Sequence, residues 1–146
     1  MSFRDKIGKE LLFFDGGMGT LLQERGLQTG EVPETWNILH PDVIGQINQE
    51  YLLAGCNVVS ANTFGVNSFK CKELAYSVDE LVGAGVRIAK AAIAKVREQK
   101  DGAEREMYCA LDIGSLGKLL KPLGEISFDE AYDAFQEVII AGDKAG

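Results

Sequence analysis

Three short apolar runs, Leu11 to Asp15, Asn57 to Phe64 and Met107 to Ile113, are separated by stretches long enough for helices, with no hairpin signal between them. This spacing constrains the fold more than any other feature of the chain. Short apolar runs bounded by glycine or polar residues read as buried strands. Strands that alternate with helices imply parallel pairing through right-handed crossovers.

The intervening stretches carry helix signals. Met18, Leu21 and Leu22 fall at helical spacing and stop at Gly26, and Gln28 to Leu39, with Gly30 and Pro33, reads as a loop in which Trp36 packs as a lid over the apolar layer. Pro41 suits a first helical turn, and Val43, Ile44, Ile47, Tyr51 and Ala54 repeat on one face until Gly55. Ser77 with Glu80 and Ser127 with Glu130 have capping-box spacing. The first box introduces a stripe of Leu81, Ala84, Ile88, Ala92 and Val96, and the second a face of Phe128, Ala131, Phe135, Val138 and Ile139. Lys95 to Arg105 reads as a charged end and linker, and Gly114 to Ile126 as a glycine-rich loop containing Pro122.

The predicted order is therefore β, α, α, β, α, β, α. A closed (β/α)8 barrel needs roughly 250 residues, whereas this chain has 146. The expectation is an α/β chain in which residues 1–146 form the N-terminal portion of a TIM barrel. It would supply about three βα units with parallel strands, the rest of the barrel lying outside this stretch.

In such a barrel the ligand lies at the carboxyl ends of the strands. Three ends are readable: Asp15 with Gly16 and Gly17, Asn62 with Thr63, and Asp112 with Gly114. Each could merely orient the loop that follows, a task Asp and Asn perform well. The convergence of three polar ends on one rim favours a small-molecule site instead. Glycines after Asp15 let backbone N–H groups approach a ligand without side chains in the way.

Charge narrows the ligand class. With 15 Lys and Arg against 22 Asp and Glu, a net charge of -7 argues against nucleic acid or an anionic membrane as partner. The start of the chain has no apolar leader segment, and no run is long enough to span a bilayer. Three widely spaced cysteines, Cys56, Cys71 and Cys109, fit a reducing compartment, so a cytoplasmic location is expected.

Four segments together resemble the homocysteine S-methyltransferase family: Asp15-Gly16-Gly17-Met18-Gly19-Thr20, Glu50-Tyr51-Leu52-Leu53-Ala54-Gly55, Asn62-Thr63-Phe64, and Asp112-Ile113-Gly114 through Pro122-Leu123-Gly124. The resemblance runs from about Leu11 to Gly146 and is strongest to the homocysteine-binding module of the cobalamin-dependent branch. The betaine-dependent branch carries a tyrosine after the Thr-Phe pair, where this chain has Gly65.

The resemblance implies homocysteine as the small-molecule substrate. The N–H groups of Gly16 and Gly17 would receive its carboxylate, Asp15 its ammonium as a charge-assisted partner, and Thr63, Asn62 and Asp112 would complete the rim. It implies a zinc ion that deprotonates the substrate thiol, since the thiolate is the nucleophile. It also implies cobalamin and folate on other domains of the intact protein. The family's zinc ligands are three cysteines near later strand ends, two of them adjacent. This chain has no Cys-Cys pair, and its three cysteines read as small packing residues, so zinc ligands are expected beyond residue 146. His40, just before Pro41, reads as a residue at the start of a helix.

On this reading the stretch contributes substrate binding but no catalytic residue, and alone transfers no methyl group. The alternative from another class is a small non-catalytic α/β module that binds an anion or an amino acid on the Asp15 turn. Its phosphate version is disfavoured by an acid where phosphate would sit and by the lack of a Walker lysine. Open strand edges and helix faces meant for neighbours predict that the isolated chain forms a homo-oligomer.

Overall fold

The computed structural model describes residues 3–99 and 105–146. Its centre is a two-stranded parallel sheet of β1 (Val58–Ser60) and β2 (Tyr108–Ala110), in register Val58 to Tyr108, Val59 to Cys109 and Ser60 to Ala110. A third extended segment lies on the outer edge of β1 through a parallel bridge between Phe14 and Val58. There the Asp15 amide donates to the Val58 carbonyl at 3.0 Å and the Val58 amide to the Phe13 carbonyl at 3.1 Å.

The three extended segments thus occur in the expected order and pair in parallel, but all three are shorter than the apolar runs Leu11 to Asp15, Asn57 to Phe64 and Met107 to Ile113, and the first is also less buried than its composition implies. Phe13 and Phe14 are 60% and 55% exposed, against the expectation of a buried strand. An apolar run reports the capacity to be buried; the cover itself depends on what packs over the segment.

Around the sheet lie α1 (Phe3–Lys6), α2 (Gly19–Glu24), α3 (Trp36–Leu39), α4 (Pro41–Leu53), α5 (Ser68–Cys71), α6 (Val78–Arg97) and α7 (Phe128–Ala145), with a 3-10 turn over Pro33–Thr35. The stretch read as a loop from Gln28 to Leu39 therefore holds two short helical turns. Trp36 is buried in it against Leu22, Leu27, Ile44 and Ile47.

The two long helices begin where their caps predict. The Ser77 hydroxyl accepts from the Glu80 amide while the Glu80 carboxylate accepts from the Ser77 amide, and Ser127 with Glu130 repeats the pair. Such reciprocal caps satisfy N–H groups that the first turn leaves unpaired. At the end of α4, Gly55 takes φ +117°, a left-handed conformation that ends the helix without a side-chain penalty.

α6 packs against α4 on one side and α7 on the other. Leu81, Ala92 and Val96 of its expected stripe are buried, with Val82, Val86, Ala89 and Ile93 beside them. Ala84 and Ile88 are half-buried. The buried arc exceeds a single stripe because the helix is covered on two sides.

On α7 the expected face is only partly correct. Ala131 and Val138 are buried and Phe135 half-buried, whereas Phe128 is 71% and Ile139 52% exposed. The buried side instead uses Ala134, Ala141 and Gly142, whose small volumes let the helix come close; a side chain at Gly142 would meet Leu111 at 2.6 Å. Part of the expected Lys95 to Arg105 linker, residues 100–104, lies outside the described residues. Among the described residues no helix is long and apolar enough to cross a membrane.

Candidate functional site

A cleft of about 420 Å³ opens where the three extended segments end. The turn after the first segment (Phe14 to Gly19), the residues following β1 (Ala61 to Phe64), Asp112 beyond β2, and Pro33 with Glu34 from the 3-10 turn line it, together with Ser60. All six residues singled out from the sequence, Asp15, Gly16, Gly17, Asn62, Thr63 and Asp112, are on this one cleft.

Asp15 leaves the first segment pointing at β1. Its Oδ2 accepts the Ser60 amide at 2.7 Å and its Oδ1 the Ser60 hydroxyl at 2.9 Å. Each carboxylate oxygen has capacity for a further donor, so the group is oriented without being saturated. The Gly16-Gly17 turn is set by Tyr51, whose hydroxyl donates to the Gly17 carbonyl at 2.9 Å. A side chain at position 16 would sit 2.9 Å from that hydroxyl, which is why glycine is required there. Among the described residues no backbone carbonyl takes the amides of Gly16, Gly17 or Met18.

Asn62 and Thr63 do other work. The Asn62 amide donates to the Pro33 carbonyl at 3.0 Å and to Asn37 Oδ1 at 2.9 Å, while Asn37 returns a bond to the Asn62 carbonyl at 2.7 Å. Thr63 is fully buried, and its hydroxyl donates to the Asp112 carbonyl at 2.8 Å, tying the ends of β1 and β2 together. Both residues build the cleft wall from behind.

Asp112 is half-buried on the opposite wall. Burial, and then the nearby charge of Asp15, push its pKa up from the usual carboxylate range. The sequence reading missed Glu34. This carboxylate is only 5% exposed, lines the cleft, and accepts the Gly65 amide through Oε1 at 2.5 Å. A charged residue in a loop with glycine and proline reads as solvated, and the available signal was Gly65, thirty-one residues away. There a Cβ would lie 2.6 Å from Glu34 Oε1.

The cleft therefore carries three carboxylates, from Asp15, Glu34 and Asp112, and no Lys, Arg or His among its lining residues. Phe14 and Phe64 supply an apolar wall. Acidic groups beside an apolar wall are complementary in chemistry to a cationic group with an apolar arm.

The cysteines are scattered. The Cys56 thiol donates to the Phe14 carbonyl at 3.3 Å, Cys71 ends α5, and Cys109 lies within β2. Burial raises all three thiol pKa values, that of Cys109 to about 11. Among the described residues no three His, Cys, Asp or Glu side chains gather to hold a metal ion. The described residues therefore offer the implied zinc no fitting ligand set.

Fold and site define an α/β protein with a small-molecule cleft at the carboxyl ends of parallel strands. The chain belongs to the homocysteine S-methyltransferase family, whose model matches residues 12–146. It is 28% identical over 144 residues to a methionine synthase of Mycobacterium tuberculosis (strain ATCC 25618 / H37Rv), covering 93% of this chain and 12% of that protein. A Mycobacterium leprae (strain TN) methionine synthase is 28% identical over 143 residues, covering 91% and 11%.

Among solved structures, the metallated form of the homocysteine methyltransferase MmuM from Escherichia coli superposes with a TM-score of 0.83 at 17% identity, over 98% of this chain and 54% of that one. Its apo form gives 0.68 at 23% identity, over 98% and 48%. The chain thus spans about half of a solved homologue's fold and about an eighth of the curated relatives.

Proposed function

We propose that this chain forms the amino-acid-holding side of a homocysteine methyltransferase site, in the N-terminal portion of a (β/α)8 barrel. Homocysteine is the substrate and methionine the product. Asp15 and Asp112 face its ammonium, the amides of Gly16 and Gly17 receive its carboxylate, and Asn62 and Thr63 hold the rim on which these groups sit. The observation that supports the reading is the composition of the cleft: among the described residues, carboxylates lie on one rim with glycine amides that no backbone carbonyl takes, and no basic side chain lines it.

Zinc ligands are assigned to residues beyond 146, and the methyl donor, methylcobalamin recharged from methyltetrahydrofolate, to other domains. Residues 1–146 alone then transfer no methyl group. The free thiols fit a cytoplasmic location.

The test is calorimetric titration of L-homocysteine, and of its analogue lacking the amino group, into the intact protein and its Asp15→Ala variant. The expected result is binding of homocysteine, little or none of the analogue, and a loss of about tenfold or more in affinity on substitution. Equal binding of the two compounds, or tighter binding of phosphate than of homocysteine, would overturn the reading.

A further inference from the structure

We propose that Glu34 is a positioning residue for the cleft. Its carboxylate fixes the Gly65 amide, and with it the Phe64 ring, against which the sulfur-bearing arm of the substrate packs. The inference deepens the homocysteine reading and rests on it for the identity of the ligand.

The segment from Pro33 to Asn37 and the segment from Asn62 to Gly65 are joined at three places. The Asn62 amide bonds to Pro33 and to Asn37, and Glu34 Oε1 takes the Gly65 amide at 2.5 Å. The Asn62 and Asn37 bonds secure the base of the turn, so Glu34 is the tie at its tip. Phe64 stands between these ties and is 59% exposed on the cleft. Besides the Glu34 bond, the Phe64–Gly65 peptide is held on its carbonyl side, where Phe64 accepts the Gly114 amide at 2.9 Å, and by the turn around it, which the Val66 amide closes on the Thr63 carbonyl at 3.0 Å. Glu34 is the only one of these ties made by a side chain of the Pro33 to Asn37 segment.

Position 65 is matched to this carboxylate. A Cβ there would meet Oε1 at 2.6 Å and both Cδ and Oε2 at 3.0 Å, so close approach of Glu34 requires glycine. The carboxylate is nearly fully buried, so little water competes for the bond that it accepts from Gly65. Glu34 thus acts through Phe64 and does not itself need to touch the substrate.

The test compares Glu34→Ala, Glu34→Gln and Glu34→Ala/Gly65→Ala in the intact protein. Amide hydrogen exchange at Gly65 reads the tie without any ligand. It should accelerate at least about tenfold in Glu34→Ala and stay near the wild-type rate in Glu34→Gln, whose side-chain oxygen still accepts.

With homocysteine, KM should rise about tenfold in Glu34→Ala with kcat within about twofold, and Glu34→Gln should restore KM. Adding Gly65→Ala to Glu34→Ala should cost little more, because the clash partner is gone. Unchanged exchange at Gly65 in Glu34→Ala would overturn the tie. Loss of affinity in Glu34→Gln equal to that in Glu34→Ala would overturn positioning in favour of direct contact between the charge and the ammonium. If wild-type protein binds no homocysteine while Gly65 exchange responds as expected, the ligand reading fails and the tie stands.

Discussion

Ser60 holds both oxygens of the Asp15 carboxylate, the amide on Oδ2 at 2.7 Å and the hydroxyl on Oδ1 at 2.9 Å. The last residue of β1 thereby aims the acid that ends the neighbouring segment. Ser60→Ala removes the hydroxyl bond and keeps the amide bond. Homocysteine affinity should fall several-fold and stability by about 1 kcal/mol, read by titration and by denaturant melts. An affinity equal to wild type would show that one bond suffices to orient Asp15.

Tyr51 and Gly16 make a second matched pair, since a Cβ on residue 16 would press on the Tyr51 hydroxyl at 2.9 Å and on its ring at 3.3 Å. Gly16→Ala should therefore cost about 1–3 kcal/mol as overpacking and weaken homocysteine binding. Adding Tyr51→Phe removes the nearest clashing atom, together with the bond to Gly17. The double variant should be more stable than the sum of the two single changes predicts. Strict additivity in thermal melts would contradict the geometry.

Asp112 links the site to pH. Burial and the charge of Asp15 raise its folded-state pKa, so the folded protein holds this proton more tightly than the unfolded chain. That contribution is fully present below the unfolded carboxylate range, near pH 3.9, and is lost as pH rises through the folded pKa. At neutral pH the ionised group is a net cost. Asp112→Asn should raise Tm at about pH 7, with the gain shrinking toward about pH 3. A gain independent of pH would mean that the carboxylate is not the cause.

Cys109 gives a chemical readout of the same core. Burial holds its thiol pKa at about 11, and the thiolate is the reactive species. Alkylation of the folded protein at about pH 8, followed by mass spectrometry, should label Cys109 more slowly than its ordinary thiol pKa would give. Its rate should keep rising well past pH 9. Labelling at the rate of an unfolded control would show that β2 is open to solvent.

How much was legible follows from how local each determinant is. The capping boxes at Ser77 and Ser127, the stop at Gly55 and the acid-glycine turn at Asp15 are written within four residues of where they act. The structure carries them as read. Glu34 was invisible because its burial depends on the absence of a side chain at Gly65, and the roles of Asn62 and Thr63 as ties depend on Pro33, Asn37 and Asp112. Phe13 and Phe14 were misassigned because nothing in an apolar run tells what will cover it, and the face of Phe128 and Ile139 for a second reason. Periodicity marks large apolar residues, whereas close helix packing on α7 selected the small ones, Ala134, Ala141 and Gly142.

Those large residues on α7 lead to the last prediction. Phe128, Tyr132, Ile139 and Ile140 are exposed along one side of the helix, with Leu120 beside them, around a groove of about 540 Å³. Beyond β2 no further strand pairs among the described residues. Contiguous apolar surface of this kind drives association, as does an open sheet edge. The 146-residue chain in isolation should therefore self-associate at micromolar concentration in light scattering. Ile139→Glu with Tyr132→Lys should shift it to monomer without lowering Tm by more than a few degrees, because both side chains lie outside the core. A wild-type chain that stays monomeric would show that this face does not mediate self-association, and a double variant that remains associated would move the contact to the edge of β2.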